Sequence, residues 1–133
     1  DVKAAELIAA QTKQPVTLLD DEYTTSELLS IVGNMDLLLA VRLHALIFAG
    51  VMGVPMIGLS YDPKIDRFMD SIGEQPVDSL QEITTDELMA EVRMKWNDKA
   101  TFRTRNAELL SGLRVLASRN AELALGLIHK ETR

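Results

Sequence analysis

The stretch from residue 35 to residue 60 constrains this chain more than any other. Met35 to Val41 is apolar throughout except for Asp36, an apolar helix-like run extends from about His44 to Met52, and Gly53-Val54-Pro55 leads into Met56-Ile57-Gly58-Leu59-Ser60. Continuous apolar runs of strand length belong to strands covered on both faces, and two of them joined through a helix form a parallel pair with a right-handed crossover. Between residues 36 and 64 cationic side chains stand only where a strand gives way to a helix: Arg42 and His44 at the first such turn, Lys64 at the second. In open α/β sheets ligands lie outside the carboxyl ends of the strands, so these two turns are expected near one another, in the layout of an anion site.

The flanking sequence extends the same rhythm. A helix opens the chain and ends near Gln14-Pro15, Val16 to Leu19 reads as a short buried strand, and Asp20-Asp21-Glu22 is an acidic turn. Thr24 or Thr25 caps a helix that stops at Gly33-Asn34, with Glu27 in its first turn. Asp62 reads as an N-cap with Pro63 at the first helical position, and that helix runs through Ile65, Phe68 and Met69 to Gly73. Val77 marks a short fourth strand, Thr84 to Glu87 starts a helix reaching about Asn97, and a last long helix occupies about Lys99 to Lys130. The expected fold class is α/β: a Rossmann-like parallel sheet with helices on both faces.

With 133 residues, 47% of them hydrophobic and 26% charged, the chain buries one ordinary core. A net charge of −6 argues against a general nucleic-acid binder, so an anion site here is local. Without cysteine there is no disulfide or thiolate chemistry, and two isolated histidines lack zinc-ligand spacing. No signal segment is recognisable, and Arg42, His44, glycines and Pro55 interrupt the apolar stretch from Leu37 to Leu59, so a cytoplasmic protein is expected. Asp1 to Ala10 continue an amphipathic pattern with no lead-in, which reads as the C-terminal part of a longer protein, residues 1–133 forming a single domain.

The chemistry of the two turns follows from their side chains. Amides at a helix N-terminus carry partial positive charge, so a phosphate or carboxylate over His44 to Leu46 finds donors in the backbone itself. Arg42 adds a planar fork suited to two oxygens, Lys64 a mobile point charge, and His44 a side chain of the type that exchanges protons near neutral pH. Each has a plainer alternative: an arginine at a strand end is commonly an ion-pair partner, and a histidine at a helix start a structural donor. Asp62 reads mainly as a cap and Arg67 as a solvated helix residue, while Tyr61 either contacts a ligand or packs at the strand end.

Arg42-Leu43-His44-Ala45-Leu46-Ile47-Phe48-Ala49, then Gly53-Val54-Pro55, then Tyr61-Asp62-Pro63-Lys64 resemble the C-terminal domain of polysaccharide pyruvyl transferases, especially the bacterial type serving cell-surface anchoring. The resemblance is specific over about residues 35 to 73; on either side only the order of elements matches. It implies the second half of a two-domain enzyme of GT-B architecture, with the N-terminal domain outside this chain. It further implies transfer of pyruvate from phosphoenolpyruvate, without a cofactor, to an N-acetylmannosamine residue of a lipid-linked secondary cell-wall polysaccharide precursor. The resulting ketal would serve S-layer anchoring. Under this resemblance Arg42 and His44 are the catalytic residues, and Arg42, Leu43, His44 and Lys64 the substrate-binding set. A peripheral position at the inner face of the membrane also follows.

Two other classes compete. The same order of elements resembles the donor half of nucleotide-sugar glycosyltransferases or epimerases, which usually carry glycines where Arg42-Leu43-His44 stands and a carboxylate for the ribose; this ranks second. A non-catalytic interaction module draws support from the last helix, where Leu109, Leu113, Leu116, Asn120, Leu123 and Leu127 alternate at spacings of four and three, as in a coiled-coil seam. Leu110, Ala117, Ala121, Ala124 and Ile128 widen that arc, and the preferred expectation is that the helix packs on its own sheet and on the preceding domain, ahead of forming a homo-oligomer. Residues 99–133 hold seven Lys or Arg against three Asp or Glu, so this basic segment is expected to lie along its own acidic domain, ahead of an anionic membrane surface.

Overall fold

The computed structural model describes residues 2–19, 21–77 and 82–131, with side chains through Leu127. Helices α1 (Val2–Gln11), α2 (Thr25–Gly33), α3 (Leu43–Met52), α4 (Pro63–Ser71) and α5 (Thr85–Glu131) surround strands β1 (Leu38–Ala40) and β2 (Met56–Gly58). The strands pair in parallel, Leu38 opposite Met56 and Ala40 opposite Gly58, with α3 as the crossover. Beyond β2, Leu59 bridges Val77 in parallel, and the Val77 amide donates to the Gly58 carbonyl at 2.9 Å. The fold is mixed α/β, with a small parallel sheet at its centre.

Local chemistry accounts for most of the boundaries. Thr24 caps α2 in a capping box: its hydroxyl accepts from the Glu27 amide while the Glu27 carboxylate accepts from the Thr24 amide at 2.8 Å. Thr84 and Glu87 repeat that device at the head of α5. Asp62 caps α4 by accepting the Lys64 amide at 2.8 Å, with Pro63 at N1. Gly53 closes α3 at φ 69°, a left-handed conformation that favours glycine.

Leu46, Ala49, Val54, Met56, Ile65, Met69, Ile72 and Phe102 form the core. All three β2 residues are buried, as expected of a strand covered on both sides. The β1 strand departs from the expectation: Leu39 is 46% exposed, so one of its faces is open among the described residues. Its paired length is three residues because β2 offers no more, and Asp36, ahead of it, turns out to meet Lys99 of α5 at 2.8 Å.

Two further expectations are corrected. Val16 to Leu19 form no strand, since no neighbouring chain takes their amides into a ladder and Val16 and Leu19 are exposed. The two helices expected on either side of residue 98 are one, α5, because neither proline nor glycine interrupts residues 85–111. Asp98, between the two expected helices, accepts from Thr101 and Arg105 on the same helix.

From α5, Arg103 Nε donates to the Gly53 carbonyl and Arg114 Nη2 to the Val51 carbonyl, each at 3.0 Å, so two guanidinium groups meet the negative end of α3.

Candidate functional site

Parallel pairing sends the chain out of β1 and out of β2 at the same edge of the sheet. The Leu59 amide continues the ladder with a 3.0 Å bond to the Ala40 carbonyl, so the pair stays together up to the turns. Arg42 follows β1 by two residues and heads α3; Lys64 follows β2 by six and sits in the first turn of α4. The two turns anticipated from sequence therefore leave adjacent strands at one edge.

The side chains at this edge differ in burial. Arg42, His44, Tyr61 and Lys64 are exposed, while Leu43 is half-buried and packs against the core. Leu43 thus anchors the head of α3 and leaves its neighbours on either side facing water. Its side chain is turned inward, so the backbone amide is the group that Leu43 presents at this turn. Tyr61 does not pack at the strand end, Asp62 acts as the cap, and Arg67 is solvated.

The head of α3 carries no side-chain cap: Arg42 is the N-cap residue, extended at φ −98° and ψ 123°, with no side-chain bond to the first turn. Ala45 and Leu46 donate to the Arg42 carbonyl at 3.1 and 3.3 Å, so of the amides anticipated for an anion only that of His44 stays directed out of the helix, joined by that of Leu43. Those two amides, the Arg42 guanidinium and the His44 imidazole lie within three residues of one helix start. No group of three or more metal-ligating side chains occurs among the described residues, and no described helix is long and apolar enough to cross a membrane.

A second charged cluster, which the sequence reading missed, lies behind this edge. Glu74, only 3% exposed, accepts from Lys95 at one oxygen and from Arg105 (2.6 Å) and Asn106 (3.2 Å) at the other. Arg105 also reaches Asp98. Burial by itself raises the Glu74 carboxyl pKa; hydrogen bonds from Lys95 and Arg105, the Lys95 charge and the Asn106 amide outweigh it and hold the group below its ordinary value. The only sequence signal was Asn106, a polar residue four after Phe102 in an apolar stripe. A cavity of about 580 Å³ adjoins the cluster at Pro76, Val77 and Met94, and its cations are already satisfied by Glu74.

The sequence profile of the polysaccharide pyruvyl transferase family matches residues 1–63. The match takes in β1, α3, β2 and the Arg42-Leu43-His44 turn and ends one residue before Lys64. It also reaches the start of the chain, where sequence reading found only the order of elements. A transferase of polysaccharide biosynthesis is the coarse function this pyruvyl transferase match supports. No curated protein and no solved structure matches the chain.

Proposed function

We propose that this chain is the donor-binding half of a polysaccharide pyruvyl transferase, taking phosphoenolpyruvate at the head of α3. The observation that carries the reading is the joint exit of β1 and β2 at one sheet edge, which gathers the uncapped start of α3, Arg42, His44 and the start of α4 bearing Lys64. A donor with both a phosphate and a carboxylate suits such a set: the Arg42 fork takes two oxygens, the Leu43 and His44 amides a third, and Lys64 offsets charge on the departing phosphate.

In the proposed reaction His44 delivers a proton to the methylene carbon of the donor, which creates an oxocarbenium-like centre at the adjacent carbon. One sugar hydroxyl attacks that centre, and a second displaces phosphate to close the cyclic ketal. The proposed acceptor is N-acetylmannosamine in a lipid-linked secondary cell-wall precursor, the ketal then serving S-layer anchoring. GT-B architecture, an N-terminal domain supplying acceptor contacts, and work at the inner membrane face belong to the same proposal. No metal or organic cofactor has a part in it.

The test is a titration of the 133-residue chain with phosphoenolpyruvate and, separately, with uridine diphosphate, followed by backbone amide shifts. Saturable shifts at residues 42–46 and 61–64 with phosphoenolpyruvate, weakened about tenfold or more in Arg42→Ala, are expected. A response to the nucleotide alone would overturn the assignment in favour of a nucleotide-sugar enzyme.

A further inference from the structure

Helix α5 runs for 47 residues, about 70 Å at 1.5 Å per residue, and the core covers only part of it. Lys95, Phe102 and Asn106 are buried, and Leu110 and Leu113 rest on the core; from Arg114 to Leu127 every side chain is exposed. Within this chain the helix meets its own core only as far as Leu113. The exposed part is not polar: Leu116, Leu123 and Leu127 are 58, 60 and 67% exposed. With Leu109, Leu113 and Asn120 they keep a 3.5-residue repeat, the pattern of one helix lying against another rather than against a sheet. Gly112, Ala117, Ala124 and Gly126 flank the seam, with Leu110 and Arg119 the larger exceptions, and a Cβ at either glycine would meet nothing. Small flanking side chains let two backbones approach closely.

The area points the same way. The chain exposes 10132 Å², whereas a compact monomer of its mass exposes about 7,000 Å². The excess of about 3,000 Å² is shared by this overhang and by α1, none of whose residues is buried, and it leaves room for the roughly 1,200–2,000 Å² that a stable interface buries in total. At the foot of the overhang, Ile47, Val51, Phe68, Leu110, Leu113 and Ala117 line an apolar cavity of about 210 Å³. Leu113 and Ala117 belong both to this groove and to the helix face above it, so groove and seam form one surface. A helix running antiparallel along α5 and pairing over the whole seam brings its own Leu127 beside Leu109 to Leu116, at the mouth of the groove. A parallel partner would leave both grooves empty.

We propose that a second copy of this chain covers this face, the two α5 helices pairing antiparallel over residues 109–127 with Leu127 of each copy seated at the apolar groove of the other. Sedimentation velocity of the 133-residue chain at tens of micromolar should report a dimer, and helix content should fall on dilution as the copies separate. Leu116→Glu with Leu123→Glu, both outside the core, should give a monomer that retains the thermal transition of the rest of the protein. Because the chain has no cysteine, Leu127→Cys introduces its only thiol; antiparallel copies hold the two thiols about 27 Å apart, and oxidation should yield no disulfide-linked dimer. A cross-linked dimer would overturn the antiparallel arrangement. A chain that stays monomeric at these concentrations would overturn the proposal and leave the face to another segment or another protein.

Discussion

Lys95 and Arg105 converge on a single carboxylate inside the protein, whereas Arg42, His44 and Lys64 stand exposed where two strands leave the sheet. Both are groups of cations near a turn, and a chain scan weighs them alike. The difference lies in burial and in the backbone beside them. Glu74 supplies the inner cations with an anion of the chain's own, so that cluster ties the end of α4 to α5. At the outer edge the head of α3 has an arginine in the cap position where α2, α4 and α5 have Thr24, Asp62 and Thr84. An acidic cap there would compete with an incoming anion; its absence keeps the two leading amides directed outward.

The contrast is broken most severely at its buried side. Glu74→Ala leaves the Asn106 amide without its acceptor and Lys95 with only the Glu91 carboxylate at 3.9 Å, and a loss of about 3 kcal/mol in urea unfolding is expected. The pH dependence carries a sign. Since the folded Glu74 sits below its ordinary value, the cluster's contribution is fully present above the unfolded pKa of about 4.3 and is lost as pH falls through the lower folded value. Acid unfolding of the parent chain should show that step, and Glu74→Gln should lack it. Retention of the step in Glu74→Gln would assign it to other carboxylates.

At the exposed side Arg42→Lys keeps the charge and removes the fork. Phosphoenolpyruvate affinity should drop about tenfold, and equal affinity would mean that charge alone suffices there. Asp62→Ala removes the cap of α4 and should cost about 1 kcal/mol of stability, measured by thermal unfolding; no loss would mean that Pro63 alone fixes that helix start. Smallest is Lys64→Ala, for which a few-fold weaker donor affinity is expected, shrinking further in high salt because an exposed point charge is screened.

The two turns at the strand ends were legible in the sequence because their signals are local. Arg42, His44 and Lys64 are each within a few residues of a strand end, and the caps Thr24, Asp62 and Thr84 sit at the spacing their hydrogen bonds need. The β1–α3–β2 order and the bridge at Val77 were readable from apolar runs bounded by turn residues. The expected strand at Val16 to Leu19 fails because a strand exists only through its partner, and apolarity does not name one. The Glu74 network was invisible because its partners are 21 to 32 residues away. Residues 97–98 separate the two expected helices, yet nothing there prevents the backbone ladder from continuing, and the two are one.

The two arginines that reach the tail of α3 bear on how this edge can be transplanted. Residues 36–64 carry both strands, the turn and the helix, yet Arg103 and Arg114, which hold the Gly53 and Val51 carbonyls, come from α5, outside the family match. A graft of that segment onto a foreign sheet would keep the open head of the helix and strip the counter-charges from its far end. The portable unit is therefore discontinuous: a strand–helix–strand insert together with one face of a distant helix, to be moved together or not at all.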